Sequence, residues 1–376
     1  MILQDNIFLS IVFLTLGLSA FIQIIYYLWF YLATGLYRHR GDNKSEAAVS
    51  VIICARNEAE NLGKFLPAVL EQKYSDYEVI VVNDCSDDDT FDVLGQCLTK
   101  YSHLRVSTVN KDPKFTHNKK FAQFIGIKAA KNDILLFTDA DCQPASDRWL
   151  AEMTSHFNES TDFVLGYGGY FKGKGLLNKY IRYDSMTTAM QYLGMAIRGI
   201  PYMGVGRNLA YRREVFFRNK GYGSHYNLIS GDDDLFVNHN ATKKNTCVEF
   251  RREAHTRSVP AATIPEWFKQ KRRHLTTSRY YKFGNRLLLF IEPLSRIFFY
   301  VSLAILLAYE LLLPYVASVF GIRLIIQVIV LALVRKKLEE PGLVFYSLFF
   351  DIFSPLITGI VYASNLRNRS DKHRWK

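Results

Sequence analysis

The chain has 376 residues, of which 49% are hydrophobic, with 27 Phe, 23 Tyr and a formal net charge of +12. That length allows one or two domains with a sizeable core. The five cysteines, Cys54, Cys85, Cys97, Cys142 and Cys247, lack the paired spacing of a zinc site or a disulfide framework and fit a reducing compartment.

The apolar residues are concentrated in long runs, and these imply an integral, multi-pass membrane protein. Ile7 to Tyr37 carries no charge and exceeds the roughly 20 residues needed to cross a bilayer. It is preceded by Asp5 without Lys or Arg and is too long for a signal-peptide core, so it reads as an uncleaved anchor. Arg38-His39-Arg40 then places the following segment in the cytoplasm, at the cell membrane if the source is bacterial. Basic residues flanking apolar runs account for much of the net charge, so a positive cytoplasmic face explains it without nucleic acid.

Residues 41–286 read as the soluble domain between an anchor at 1–40 and a membrane region at 287–376. Val49 to Cys54 is a buried strand, followed by a helix from near Asn57. Tyr77 to Val82 is a second strand and Thr90 to Tyr101 a helix. Leu104 to Val109 is a third strand, Asn118 to Ala130 a helix, and Ile134 to Phe137 a fourth strand. Strands alternating with helices predict an α/β, mostly parallel sheet whose ligands bind beyond the carboxyl ends of the strands. Polar residues gather at those ends: Ala55 to Glu58, Asn83 to Asp87, and Asp139 with Asp141. Turn chemistry alone would distribute them over both edges of the sheet. Asp139-Ala-Asp141 suits a divalent cation holding a diphosphate, although two solvated acids at a strand end would look the same.

Val51-Ile-Ile-Cys-Ala-Arg-Asn-Glu58, Val81-Val-Asn-Asp-Cys-Ser86, Lys119 with Ala122 and Gly126, and Asp139-Ala-Asp141 resemble the family 2 glycosyltransferases of the GT-A fold. The resemblance spans about Val49 to His274 and implies a Rossmann-like nucleotide-sugar domain with transmembrane helices at both ends. It also implies an inverting hexosyltransferase using a UDP- or GDP-sugar and Mg2+ or Mn2+. By the resemblance Ala55 and Glu58 line the nucleotide pocket, Asp84 receives the base and Lys119 lies near the ribose or phosphates. Asp139 contacts the nucleotide and Asp141 holds the metal, with Asp139 beside it. The family often has Leu-Asn just beyond the lysine, where this chain has Gln123-Phe124.

Further along, Phe163 to Tyr170 reads as a glycine-broken strand, Leu176 to Ile197 as a helix, and Gly204 to Tyr211 contains a Gly-x-Asn turn that resembles one near the family's acceptor, marking Asn208. Asp232-Asp233-Asp234 resembles the family's acidic base motif. Matching the leading glycine makes Asp233 the general base, and matching the downstream Asp-Leu makes it Asp232. An acid-rich helix start is the structural alternative. Gln270-x-x-Arg273-His274 resembles the Gln-x-x-Arg-Trp motif of membrane-embedded members such as polysaccharide synthases and ceramide glucosyltransferases. It implies that Arg273, with Gln270, neutralises the leaving diphosphate and that His274, in place of tryptophan, faces the acceptor. The competing reading is a polybasic helix on anionic lipid.

A transferase moving sugar to a lipid-linked or saccharide acceptor beside membrane lipid is the first reading. A membrane-anchored nucleotide-sugar binding module without turnover is the alternative. A nucleotidyltransferase requires a glycine-rich basic loop after the first strand, which Ala55 to Glu58 is not. In the C-terminal region the run divided near Pro314 reads as two transmembrane helices. Asp351, Ser354 and Pro355 mark residues 343–363 as a re-entrant or interfacial segment, and a basic tail carrying Trp375 follows on the cytoplasmic side.

Overall fold

Aliphatic and β-branched runs in the first half of the chain condense into the centre of one sheet. The computed structural model describes residues 2–39, 47–110, 118–225, 228 and 230–367, so the basic tail and Trp375 lie outside the described residues. Strands β1 (Val49–Ala55), β2 (Tyr77–Asp84), β3 (Leu104–Val109) and β4 (Ile134–Asp139) are parallel, with β1 between β2 and β4. β1 is buried along its whole length because helices cover both faces, as parallel sheets require. The chain steps outward from β1 to β2 to β3 and then returns to the other side of β1 for β4. This reversal places a crevice at the carboxyl ends of β1 and β4. β4 runs to Asp139, two residues beyond its apolar core, so the first acid of Asp139-Ala-Asp141 is held by the sheet itself.

Helix α1 (Ile2–Ile25) continues through a π-helical turn at Tyr26–Tyr31 into α2 (Leu32–Leu36). Crossover helices α3 (Ala59–Leu70), α4 (Thr90–Lys100) and α5 (Lys119–Ala129) follow β1, β2 and β3. Asn118 caps α5 by accepting from Phe121 N at 3.0 Å. Gly126 lets α5 approach the sheet, since a Cβ there would lie 2.7 Å from Ile52 Cγ2. After β5 (Cys142–Pro144) and α6 (Trp149–Thr154) come β6 (Phe163–Gly166), β7 (Gly168–Tyr170), α7 (Gly175–Ile197), β8 (Leu209–Arg212), α8 (Arg213–Arg218), α9 (Asp234–Asn240), β9 (Thr246–Glu249) and β10 (Thr256–Ser258). The large sheet has the order β3-β2-β1-β4-β8-β6-β9, with β8 antiparallel to both neighbours. A small sheet β5-β10-β7 lies beyond the acidic strand end.

The remaining helices are α10 (Ile264–Leu275), α11 (Phe283–Ala308), α12 (Leu313–Lys337) and α13 (Val344–Arg367). Four helical segments, 7–36, 283–308, 313–337 and 344–365, are long and apolar enough to cross a membrane. α1 packs on α11 and α12 through Val12, Leu16 and Ala20 against Phe299, Leu306 and Val316. Below this contact Asp351 receives Arg323 at 2.7 Å, Arg296 at 3.1 Å and the Tyr300 hydroxyl at 2.7 Å, while Glu292 takes the other arm of Arg296 at 2.6 Å.

The expectation of a C-terminal segment that dips in and turns back is corrected, because α13 is one unbroken helix that contains Pro355. The turn before this element and its far end are both tied to the domain that carries the sheet. Before it, Glu340 accepts from Tyr167 at 2.8 Å and pairs with Arg182 at 2.7 Å. At its far end, Asn365 donates to the Arg272 carbonyl at 3.0 Å and accepts from Arg272 Nε at 3.1 Å.

Candidate active site

Two acidic groups, 91 positions apart in numbering at Asp141 and Asp232, meet across a cavity of about 900 Å³. The first comes from the end of β4 and the second from the loop that enters α9. Lys119, the first residue of α5, joins them with its ammonium 2.7 Å from Asp139 Oδ1 and 3.5 Å from Asp232 Oδ2. Burial alone would lower the Lys119 pKa, but Asp139, Asp232 and Asp233 hold it well above the usual lysine range. Burial also opposes ionisation of Asp139, and Lys119 outweighs it, keeping that carboxyl below its ordinary value.

Asp141 lacks such a partner. It accepts from Ser258 Oγ at 2.8 Å, yet burial and the charge of Asp139 push its pKa up. Two half-buried carboxylates at this strand end suit a hard divalent cation, which would relieve that repulsion. Cys142 Sγ belongs to the same cluster, in which ligand atoms lie within 4.8 Å of one another. Burial and the two aspartates keep that thiol protonated, so the oxygen donors are the fitting ligands for Mg2+ or Mn2+.

Within the second group the three acids have different environments. Asp234 is buried and tied down by Thr277 Oγ1 and by the Tyr281 hydroxyl at 2.7 Å. Asp232 is buried beside Lys119. Asp233 is only half-buried and lines the cavity; Oδ2 accepts from Gly206 N and Oδ1 from Asp234 N, each at 2.7 Å. Burial, with the charges of Asp232 and Asp234, pushes its pKa up to about 7. The helix-start alternative is also realised, since Asp233 caps α9. Capping fixes the carboxylate's position and leaves it facing the cavity.

α10 supplies the opposite wall. Its start is fixed by Pro265 and a Thr263/Glu266 capping box, and Trp267 is buried edge-on against Tyr180 at 5.3 Å. Gln270, Arg273 and His274, at i, i+3 and i+4, share one face and line the cavity. Lys271 also lines the cavity, where it is paired with Asp184 at 2.6 Å, so these basic residues face the cavity rather than a lipid surface.

Residues 50–217 match the family described as Glycosyl transferase family 2. Over that stretch the chain is similar to family 2 glycosyltransferases. Glycosyltransferase AglE of Haloferax volcanii is 32% identical over 187 residues, covering 49% of this chain and 58% of that protein. Probable glycosyltransferase YdaM of Bacillus subtilis is 24% identical over 299 residues, covering 72% and 66%. The chain thus spans roughly three fifths to two thirds of the length of these relatives. The mannosyltransferase PcManGT of Pyrobaculum calidifontis, solved with GDP-Man and Mn2+, superposes with a TM-score of 0.59 at 17% identity, covering 92% of this chain and 99% of that one, and establishes the GT-A fold.

Glu58, Lys119, Asp139 and Asp141, inside the matched stretch, line one cavity with Asp232, Asp233, Gln270, Arg273 and His274, which follow it. Ala55 and Asp84 are fully buried at the ends of β1 and β2 and do not line it. Asn208 is corrected from an acceptor contact to a packing element. Its amide accepts from Trp149 Nε1 at 3.0 Å and donates to the carbonyls of Tyr167 and Ala254 at 2.9 and 2.7 Å, with the residue wholly buried.

The neighbouring Arg207 is the residue that sequence reasoning missed. It lines the cavity, donates to the Tyr170 hydroxyl at 2.6 Å and the Gly168 carbonyl at 2.8 Å, and adds positive charge near Asp139 and Asp141. A cation inside a glycine-rich turn following a membrane-proximal helix was the available signal. Thr277 and Tyr281, which anchor Asp234, had no local signal at all.

Proposed function

We propose that the chain is a metal-dependent, inverting glycosyltransferase that moves a sugar from a nucleotide sugar to an acceptor at the cytoplasmic membrane face. The observation that carries this reading is the half-buried Asp233, raised to about 7, facing the Asp139/Asp141 strand end across a single cavity. A carboxylate near neutrality is matched to removing a hydroxyl proton, and the strand-end acids are where a diphosphate and its cation belong.

Glu58, Lys119 and Asp139 bind and orient the nucleotide side of the donor, while Gln270, Arg273 and Arg207 face its diphosphate. Asp141 and Asp139 would hold a divalent cation, which when bound would supply positive charge against that diphosphate. Asp233 takes the acceptor proton as the acceptor oxygen bonds to the anomeric carbon from the side opposite the leaving group. The anomeric carbon–phosphate oxygen bond breaks, and nucleoside diphosphate departs with that electron pair. The network from Asp234 to Thr277 and Tyr281 is a positioning element, since it ties the base loop to the start of α11.

Contacts and charge support the membrane placement. Arg335, Lys336 and Lys337 end α12 beside the domain, as the positive-inside rule expects for a cytoplasmic face. α13 is roughly 36 Å long at 1.5 Å per residue, yet the turn just before it and its far end both bind the domain. Phe345, Phe349, Ile352, Leu356 and Ile360 form an exposed apolar stripe while Ser347, Phe350 and Asp351 face inward. α13 therefore lies in the interface, its stripe toward lipid, and the C-terminus is cytoplasmic.

The test is nucleoside diphosphate release by purified full-length protein presented with UDP- and GDP-sugars and a membrane extract. Release with one donor, lost in Asp233→Asn, is expected. Saturable donor binding with no release under any acceptor would make the protein a nucleotide-sugar binding module.

A further inference from the structure

The cavity extends well beyond the groups that the transfer reaction uses. From the acidic clusters it continues along the first half of α11 and across to α13, where Leu287, Phe290 and Ile297 face Pro355, Gly359 and Tyr362. Ile297 lies 14 positions beyond Phe283, roughly 21 Å of helix rise. The far end of this groove is therefore remote from any monosaccharide seated at Asp233. Both walls are helices long and apolar enough for a membrane. Phe290 is 60% exposed, and a Cβ on Gly359 would meet no atom within 4 Å, so the space between the helices is open rather than filled by protein.

The charges along the groove are ordered. Tyr281, just before α11, is bonded to Asp234 of the base loop. Arg286 follows in the first turn of α11, and its guanidinium forms no ion pair or side-chain hydrogen bond with a described residue. Arg279, against the Tyr280 ring at 4.7 Å, also faces the cavity. Beyond Leu287 the ionisable groups of the wall, Glu292 and Arg296, are paired with each other at 2.6 Å. A soluble saccharide chain would need hydrogen-bonding partners along this stretch, and the wall offers mainly apolar surface.

Building on the transferase reading above, we propose that the acceptor is a phosphate-bearing lipid, with its chain between α11 and α13, its phosphate at Arg286 and Arg279, and its acceptor hydroxyl at Asp233. The order of groups along α11 matches the order of groups in such a molecule: acceptor oxygen, anion, then hydrocarbon. An apolar chain gains stabilisation in proportion to the surface that the groove removes from water. The two guanidiniums, neither of which forms an ion pair with a described residue, select an anionic head.

Farnesyl phosphate binding to the full-length protein in detergent tests the assignment, with donor nucleotide binding measured in parallel. Saturable binding is expected, at least tenfold weaker in Gly359→Trp, which fills the groove, and about fivefold weaker in Arg286→Ala. Farnesol should bind at least fivefold more weakly than farnesyl phosphate, and inorganic phosphate should not compete. Equal binding by Gly359→Trp and the unaltered chain would overturn the groove, and farnesol binding as tightly as farnesyl phosphate would overturn the phosphate site. Nucleotide binding should be the same in all three proteins. Diphosphate release to a soluble saccharide with no farnesyl phosphate binding would overturn this acceptor assignment and leave the transferase reading standing.

Discussion

Two groups of buried charges lie in this molecule, one at the sheet end and one where α11, α12 and α13 meet, and they are built on opposite terms. In the helical group two carboxylates face two guanidiniums: Asp351 and Glu292 against Arg296 and Arg323, with the Tyr300 hydroxyl completing the set. In the sheet-end group five carboxylates, Asp139, Asp141, Asp232, Asp233 and Asp234, gather around the ammonium of Lys119, with Lys120, Arg207 and Arg273 at the margin. The balanced set needs nothing further and holds helices together. The unbalanced set carries excess negative charge and raised carboxyl pKa values, which a bound cation and a proton in transfer would use.

Substitutions should therefore separate the two groups. Asp141→Ala is expected to cost transfer on the order of 10³-fold, corresponding to several kcal/mol of charge stabilisation, with a melting temperature unchanged or higher because a repulsive half-buried carboxylate is gone. Chelation should silence the unaltered protein and added Mn2+ or Mg2+ should restore it, whereas Asp141→Ala should stay silent in both. Asp351→Ala should show the inverse pattern, destabilising the fold by about 3 to 5 kcal/mol because Arg323 and Arg296 lose a buried partner, with donor affinity in the surviving folded fraction retained. Loss of stability in Asp141→Ala together with full stability in Asp351→Ala would erase the distinction.

Smaller effects sharpen it. Asn208→Ala should cost about 1 to 3 kcal/mol of stability by leaving Trp149 Nε1 and two carbonyls unsatisfied, visible in thermal unfolding, with the acceptor KM unchanged. Arg273→Ala should reduce transfer about tenfold, in line with loss of a charge-assisted hydrogen bond to the diphosphate, while Lys271→Ala, on the face paired with Asp184, should change it less than about twofold. Equal, small losses at both positions in a steady-state assay would return α10 to a lipid-surface role.

Asp139 and Asp141 were legible in the sequence because they follow an apolar run directly and a parallel sheet puts all such ends on one side, whereas Asp232 to Asp234 sit where a loop enters α9 and were marked by their resemblance to the family's acidic motif. β1, β2 and β3 were placed within two residues, and the acids fell at their mouths for the same reason. The misread residues depend on partners far along the chain. Asn208 looked like a ligand contact because it follows glycine and arginine in a turn, but its amide is consumed by Trp149 and Ala254, 59 and 46 positions away. Asp351 made α13 look unfit for a continuous apolar helix, yet its partners Arg296 and Arg323 lie 55 and 28 positions away. Only packing brings those charges together, and no local pattern encodes it.

The central claim is that Asp233 is the base, and the pH dependence of single-turnover transfer tests it most directly. Burial and two neighbouring carboxylates raise Asp233 to about 7, so transfer should fall below pH 7 as the carboxylate is protonated. The folded state then holds a proton that the unfolded chain releases near 4, so this group's contribution makes stability fall as pH rises from about 4 to about 7. Asp233→Asn should lower the chemical rate by a factor on the order of 10² to 10⁴, leave donor affinity within about twofold, and abolish the limb near pH 7. A limb that persists in Asp233→Asn and disappears in Asp232→Asn, with the larger rate loss in the latter, would contradict the assignment and move the base by one residue.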